Sequence, residues 1–185
     1  MPYGLVLLSC SYEAVVHLKR LKKEVHAVII LTDSHEKIPL FQEKIKYLRL
    51  GNTKYSQDYS VEGMEHIIGV QYKRLADLYQ SVGKNHDNFI KNCEAFKKHV
   101  LNPYLVTASL SHILQGCNHW NVIKAKRRYS ITTQVKDYQI VGTLIRVAEM
   151  GIKVRFIGDS QQCEKWIREL FTKTYQDYQV YLGKK

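Results

Sequence analysis

The sequence predicts an α/β fold, a three-layer, Rossmann-like domain with a mainly parallel sheet and a large helical segment in the middle of the chain. Two uninterrupted apolar runs, residues 4–10 and 25–31, have strand length and lie on either side of an amphipathic helical pattern. Strands that are apolar on both faces and joined by a helix are typical of a parallel sheet covered on both sides. Strand and helix patterns alternate again in the last third of the chain. The 185 residues fit one domain, residues 1–185.

The middle of the chain is predicted to be a helical insertion, residues 60–128, within this domain. Apolar residues recur there at the three- and four-residue spacing of a buried helix face. Asn102 and Pro103 suit the N-cap and the first position of a helix. Helices are predicted over residues 41–50, 60–82, 87–100 and 103–116.

The C-terminal third is predicted to return to alternating strands and helices. Asp159 and Gln162 have the spacing of a capping box, which starts a helix by satisfying its free N–H groups. Gly151 is the expected end of the preceding helix. Strands are predicted over residues 129–135, 152–159 and 178–183, with helices over 137–150 and 160–175.

The charge of the chain points to a polyanionic partner. Its 28 Lys and Arg residues exceed 17 Asp and Glu residues and give a formal charge of +11. Such an excess favours nucleic acid, a charged nucleotide or an acidic protein surface. No apolar run reaches the ~20 residues of a membrane span, and the four scattered cysteines fit small buried side chains in a reducing compartment. We therefore expect an intracellular, cytoplasmic protein without a membrane partner.

Hydroxyl side chains follow the predicted strands where a ligand would bind. In an open α/β sheet, ligands gather at the carboxyl ends of the strands, and the N–H groups of a following helix favour an anion. The alternative is that these residues only cap helices, since Ser and Asp are preferred there. The candidate anion-binding residues are Ser9, Ser11, Ser34 and Ser160.

Three aspartates are candidate metal ligands at this sheet edge, and two of them, Asp137 and Asp159, are the candidate catalytic groups. Asp33 and Asp159 follow strands, and Asp137 follows the possible strand 129–135 and opens a helix. Carboxylate oxygens are ligands for Mg²⁺ or Mn²⁺, and such an ion activates water for attack on a phosphodiester. The sequence leaves the strand order open, and with it the convergence of the three carboxylates. A solitary Asp159 would be a helix cap.

A basic and aromatic segment between residues 118 and 130 is the predicted nucleic-acid contact. Lys and Arg neutralise phosphates, while Trp and His stack on exposed bases. The alternative is a solvated helix face with Trp120 in the core. The predicted contacts are His119, Trp120, Lys124, Lys126, Arg127 and Arg128.

The second half of the chain resembles a PIN-like domain of the NYN ribonuclease type. Lys136-Asp137 opens a helix, the next strand ends in Gly158-Asp159-Ser160, and a helix and a strand follow, as in that family. The resemblance implies a ribonuclease that uses Mg²⁺ or Mn²⁺, with Asp137 and Asp159 as catalytic ligands. The family's acid after the first strand is replaced by the Ser9–Ser11 stretch, and its acid after Gly-Asp-Ser is Gln161. A catalytically degenerate relative that binds RNA is therefore an alternative.

Two further functions are compatible with the sequence. The N-terminal strand–helix–strand also resembles CARF-type sensors of cyclic oligonucleotides, which implies nucleotide binding without hydrolysis. A basic structural subunit of a ribonucleoprotein complex is the other alternative, and a complex with protein is possible. We expect nucleic acid, and RNA rather than DNA, as the main partner.

Overall fold

The computed structural model describes residues 28–36, 40–41, 46–48, 56–114 and 135–183. Its strands are β1 (Ile30–Asp33), β2 (Lys46–Leu48), β3 (Tyr59–Val61), β4 (Ile68–Lys73), β5 (Asn102–Thr107) and β6 (Lys153–Phe156). Its longer helices are α1 (Leu75–Val82), α2 (His86–His99), α3 (Asp137–Glu149) and α4 (Ser160–Tyr181).

The described strands form one sheet in the order β2-β1-β3-β4-β5-β6. Strands β1 and β2 are parallel, as are β4, β5 and β6, and only β3 runs against its neighbours on both sides. The mainly parallel α/β sheet predicted from the sequence is therefore confirmed. The carboxyl ends of the parallel strands and the start of β3 lie along the same edge of the sheet.

Helices cover both faces of the sheet, as a three-layer fold requires. One face packs against α1, α2 and α3, whose buried side chains include Leu78, Phe96 and Leu144. The other face packs against α4 through Cys163, Ile167 and Phe171. Cys93 and Cys163 are free thiols buried in these two cores, so both act as small apolar side chains, as expected.

The prediction of a helical middle segment is wrong for much of its described part. Residues 60–73 belong to β3, a turn and β4, and only Leu75–Val82 of the predicted helix 60–82 is helical. The two strands are antiparallel, and the turn between them contains Gly63 at a φ of +76°. The apolar residues on either side of the turn pack into the same core, which produced a spacing that resembled a helix face.

The helix predicted from Pro103 to Gly116 is also wrong at its start, where β5 lies. Pro103 is buried at the second position of that strand, near its beginning, where its missing N–H is tolerated best. Val106 and Leu105 pack on opposite faces of the sheet. Burial on both faces therefore overrode the helix-start signal, and helical structure begins only at residue 110.

Two shorter predicted elements are wrong because contacts with residues distant in sequence determine their structure. Residues 46–48 of the predicted helix 41–50 form β2, because the free edge of β1 offers backbone hydrogen bonds to a neighbouring strand. The predicted last strand 178–183 is instead the end of α4, which continues to Tyr181. Tyr175 and Tyr178 pack against the core at helical spacing, so α4 ends only near Gly183, at a φ of +66°.

The remaining predicted helices and strands in the described residues are confirmed, although β6 is more exposed than the sequence pattern predicts. Helices α2, α3 and α4 and strand β6 lie where their patterns placed them. However, β6 is at the edge of the described sheet, and Lys153, Arg155 and Phe156 are exposed. The predicted elements 4–10, 11–23 and 129–134 lie outside the described residues. Within the described part, no helix is both long and apolar enough to cross a membrane.

Candidate functional site

Asp33 and Asp58 lie next to each other at the carboxyl edge of the sheet. Asp33 ends β1, and Asp58 immediately precedes the antiparallel β3. The backbone N–H of Asp33 donates to the carbonyl of Asp58 at 2.9 Å. The reversed direction of β3 therefore brings the start of one strand beside the end of another, and a carboxylate with each.

Asp33 is held by the turn that follows β1. Its carboxylate Oδ1 accepts from the backbone N–H of His35 at 3.0 Å and lies 3.1 Å from His35 Nδ1. The backbone N–H of Glu36 donates to the Asp33 carbonyl at 3.0 Å. Asp33 is buried, whereas His35 is largely exposed. This Asx-turn geometry fixes one oxygen of the carboxylate.

Asp58 is fixed against β4 by backbone hydrogen bonds. Its N–H donates to the carbonyl of Val70 at 2.9 Å. Its carboxylate Oδ2 accepts from the N–H of Tyr72 at 2.7 Å. The side chain thus occupies the position of a main-chain acceptor at the end of the β3–β4 ladder.

The charges around Asp58 act on its carboxyl group in opposite directions. Burial is the largest effect and raises its pKa from 3.8 to about 6. The ammonium group of Lys73 and the Tyr72 N–H lower the pKa, while Glu36 and Asp33 raise it. A neighbouring cation would favour the ionised carboxylate and lower the pKa.

Gln71 and Lys73 complete the polar surroundings of Asp58. Both belong to β4, two residues apart, so their side chains share one face of the sheet. The Gln71 side chain donates through Nε2 to the carbonyl of Ser56 at 3.3 Å, two residues before Asp58. Its Oε1 is buried and has no hydrogen-bond partner in the described structure. Such an atom is an unused oxygen donor on β4, the strand that also holds the Asp58 carboxylate.

These residues offer oxygen donors that suit a divalent cation such as Mg²⁺ or Mn²⁺. Asp33 and Asp58 supply carboxylates, and Gln71 supplies the unpartnered amide oxygen. Within the described ranges, no group of three His, Cys, Asp or Glu side chains could hold a metal ion. The available set is therefore two carboxylates and an amide, which carries less charge than three carboxylates.

The structure does not bring the three predicted aspartates together. Asp33 is the last residue of β1 and Asp159 follows β6, and these strands are four strand spacings, or about 19 Å, apart. The Asp159 carboxylate accepts from the Gln162 N–H at 2.8 Å, while Gln162 Oε1 accepts from the Asp159 N–H at 3.2 Å. The predicted capping box is confirmed. Asp137 is the first residue of α3, and Gln139 Oε1 accepts from the preceding Lys136 N–H.

The candidate anion-binding serines are also dispersed. Ser34 is exposed in the turn after β1. Ser160 starts α4, and its hydroxyl lies 3.2 Å from the Tyr72 hydroxyl. Since β1 and β6 are far apart in the sheet, these two serines do not share a site. Ser9 and Ser11 lie outside the described residues, as do the predicted nucleic-acid contacts His119, Trp120, Lys124, Lys126, Arg127 and Arg128.

The sequence pattern points to Asp33 but not to Asp58, Gln71 or Lys73. Gln71 and Lys73 lie in the segment 60–82 that the sequence pattern predicts as one helix, and Asp58 lies just before it. Strand-length runs on both sides of Gly63, at residues 59–61 and 68–73, were the signal for a hairpin. A hairpin prediction would have placed Asp58 just before the first strand and Lys73 at the end of the second, both at the carboxyl edge of the sheet.

Comparison with solved structures supports this description of the fold. The chain superposes on XPF from Aeropyrum pernix with a TM-score of 0.53, at 13% sequence identity, covering 78% of this chain and 60% of that one. The fold is similar to that of XPF. A second structure of XPF, in complex with DNA, gives a TM-score of 0.53 at 12% identity and covers 85% of this chain and 74% of that one.

The likeness to XPF concerns the fold alone. At 12–13% identity, functional residues do not transfer from XPF to this chain. This chain also spans only 60% of the length of the first XPF chain. No protein-family model matches the sequence, and no curated protein matches it at a significant level. The similarity to the PIN-like family therefore gains no support beyond a shared α/β architecture.

Proposed function

We propose that the protein binds nucleic acid and that Asp33 and Asp58 hold a divalent cation near the phosphate backbone. The observation that carries the proposal is the hydrogen bond that joins Asp33 and Asp58 at the carboxyl edge of the sheet, with Lys73 close enough to Asp58 to lower the pKa of its carboxyl group. This edge is where open α/β sheets bind ligands. The charge of +11 and the similarity to a fold solved in complex with DNA support the choice of nucleic acid.

The chain's own residues have separate tasks in this proposal. Asp33 and Asp58 would hold Mg²⁺ or Mn²⁺, with the Gln71 amide oxygen as a third donor. The cation supplies a Lewis acid for phosphodiester cleavage. Lys73 places a positive charge near Asp58, where it would stabilise negative charge on a phosphate oxygen. The Tyr72 N–H keeps the Asp58 carboxylate in place.

Cleavage of labelled single- and double-stranded DNA and RNA, with and without Mn²⁺, tests this proposal. Asp58→Asn removes the charge but keeps an oxygen that accepts from Tyr72, so we expect a 10–100-fold loss of cation-dependent cleavage, roughly the loss typical of a disturbed metal site. Asp33→Asn should act in the same direction. Asp87→Asn is the matched control, since its side chain is 95% exposed on α2. Equal cleavage by the Asp58→Asn and Asp87→Asn variants would show that Asp58 does not hold the cation.

Binding without cleavage is a second candidate function. It is favoured by the side chains themselves, because no group of three His, Cys, Asp or Glu residues in the described part of the chain could hold a metal ion. This function predicts nucleic-acid binding by wild type in EDTA and no cleavage with any divalent cation. Binding measured by fluorescence anisotropy on the same oligonucleotides separates the two candidates.

The preference for RNA is tested by the same oligonucleotides. A DNA strand and an RNA strand of identical sequence differ in the 2′-hydroxyl, which a protein can recognise. We expect RNA to compete more strongly than DNA if the preference predicted from the sequence is right. The nucleotide-sensor and ribonucleoprotein-subunit functions stay predictions, and a screen for stabilisation by small nucleotides tests the first of them.

A further inference from the structure

We propose that the β6 surface, formed by Lys153, Arg155, Tyr104 and Trp166, is a contact for the phosphate backbone of nucleic acid. The inference rests on the proposed nucleic-acid function and adds a second, distant contact to it. The β6 surface lies at the edge of the described sheet, on the face covered by α4. Its residues are separate from Asp33 and Asp58, which form the acidic edge of the sheet, and from the basic segment between residues 118 and 130.

Two cations of β6 are held over one aromatic ring. Lys153 Nζ lies 5.0 Å from the centre of the Tyr104 ring, and Arg155 Cζ lies 5.9 Å from it. Lys153 also donates to Asn102 Oδ1 at 2.8 Å. The Trp166 ring supports Tyr104 edge-on, with centroids 5.7 Å apart. These contacts restrict two long side chains that would otherwise be flexible, which lowers the entropy lost when they bind.

Neither cation is neutralised by a carboxylate in the described structure. The only hydrogen bond of the Arg155 guanidinium found there goes to the carbonyl of its neighbour Val154, at 3.1 Å. By contrast, Arg168 pairs with Glu164 at 2.9 Å on α4. Both β6 cations are exposed, so a ligand can reach them. Fixed, exposed and unneutralised positive charges suit phosphate groups.

The spacing of the two cations suits an extended polyanion. Lys153 and Arg155 are two residues apart on one strand, so their side chains leave the same face at positions about 6.7 Å apart. Strand β6 is three strand spacings, about 14 Å, from β3 and the neighbouring Asp58. A polynucleotide of several residues can therefore reach both places, whereas a single nucleotide cannot.

The salt dependence of binding tests the β6 surface. We compare wild type with Lys153→Gln/Arg155→Gln by anisotropy on single-stranded DNA and RNA in EDTA, between 50 and 200 mM salt. Loss of two phosphate contacts should flatten the slope of log K against log salt by about 1.4 and weaken binding roughly 5- to 20-fold at low salt. Tyr104→Leu keeps both charges, so it should weaken binding with little change in slope.

A variant with the same loss of charge elsewhere controls for general electrostatics. Lys84→Gln/Lys91→Gln removes two exposed charges, one in the turn before α2 and one within α2. If both double variants give the same slope and affinity, the β6 surface is not a contact, while binding by wild type would leave the proposed function intact. If wild type binds no nucleic acid, both proposals fail. Polyglutamate is also tested as a competitor for labelled nucleic acid bound to wild type. If it displaces the label at lower concentrations than unlabelled nucleic acid does, the surface is assigned to an acidic protein instead.

Discussion

Two properties of Asp58 determine how its carboxyl group behaves. Its carboxylate is fixed by the backbone of β4, and its pKa of about 6 lies above the ordinary 3.8 because burial outweighs the attraction of Lys73. Between these two pH values the folded chain binds a proton that the unfolded chain has released. This group therefore favours folding at low pH and opposes it as the pH rises through about 6.

Replacing Asp58 by Asn should therefore alter the pH dependence of stability. In EDTA, we expect Asp58→Asn to be more stable than wild type at pH 7.5 by about 1–2 kcal/mol, with the difference vanishing below about pH 4. Urea unfolding at several pH values measures this. Adding Mn²⁺ at pH 7.5 should stabilise wild type and not the variant. A constant difference between the two proteins across the pH range would contradict the raised pKa.

Gln71 offers a test of the donor set. In Gln71→Glu a third negative charge joins Asp33 and Asp58, so we expect about 10-fold tighter Mn²⁺ binding. The same charge should lower stability in EDTA at neutral pH, because like charges repel. Calorimetric Mn²⁺ titration and thermal unfolding measure the two effects. Gln80→Glu, on the exposed side of α1, is the control, and an equal response in both variants would exclude Gln71 from the site.

At the scale of elements, the β3–β4 hairpin decides where the site lies. Its strands bring Asp58 beside Tyr72, and parallel pairing with β5 lets Thr107 Oγ1 donate to the Lys73 carbonyl at 2.8 Å. Gly69 is the second residue of β4, where the Gln57 side chain and the Phe96 ring leave no space for a Cβ atom. The close packing at Gly69 therefore holds Gln57, the residue that precedes Asp58, in place.

Gly69→Ala should disturb that packing. The new Cβ would meet the Gln57 side chain and lie 2.9 Å from Phe96 Cε2, so we expect a loss of about 1–3 kcal/mol in the free energy of unfolding. Gly142→Ala is the matched control, because no heavy atom lies within 4 Å of its Cβ position. In helix α3 that change should stabilise by up to about 1 kcal/mol. Similar effects of both changes on urea unfolding would refute the role of Gly69.

Helix α4 gives a test that separates capping from catalysis at Asp159. Its carboxylate accepts from Gln162, so Asp159→Ala should cost about 1 kcal/mol and Asp159→Ser much less. Neither change should alter Mn²⁺ affinity, because Asp159 lies about 19 Å from Asp33 along the sheet. Thermal unfolding and Mn²⁺ titration check both statements. A loss of Mn²⁺ binding in Asp159→Ser with stability unchanged would place Asp159 in a metal site.

At the scale of the whole molecule, the two proposed contacts lie on different parts of one sheet. The carboxylates of the acidic edge repel a phosphate unless a cation neutralises them. The β6 surface already carries unneutralised positive charge. We therefore expect binding at the β6 surface to be independent of divalent cations and sensitive to salt. Binding near Asp58 should strengthen with Mn²⁺. Anisotropy with Asp58→Asn and with Lys153→Gln/Arg155→Gln, each with and without Mn²⁺, distinguishes these behaviours.

The sequence by itself determined the α/β class, the helices α2, α3 and α4, the position of Asp33 at a strand end and the capping box of Asp159. These features depend on residues close together in the chain, whose spacing is visible in the sequence. Only the tertiary structure decided the strand order, which separates Asp33 from Asp159 and places Asp58 beside Asp33. Strand pairing joins backbone groups that are distant in sequence, and burial on both faces made strands of residues 68–73 and 102–107, where local spacing favoured helices.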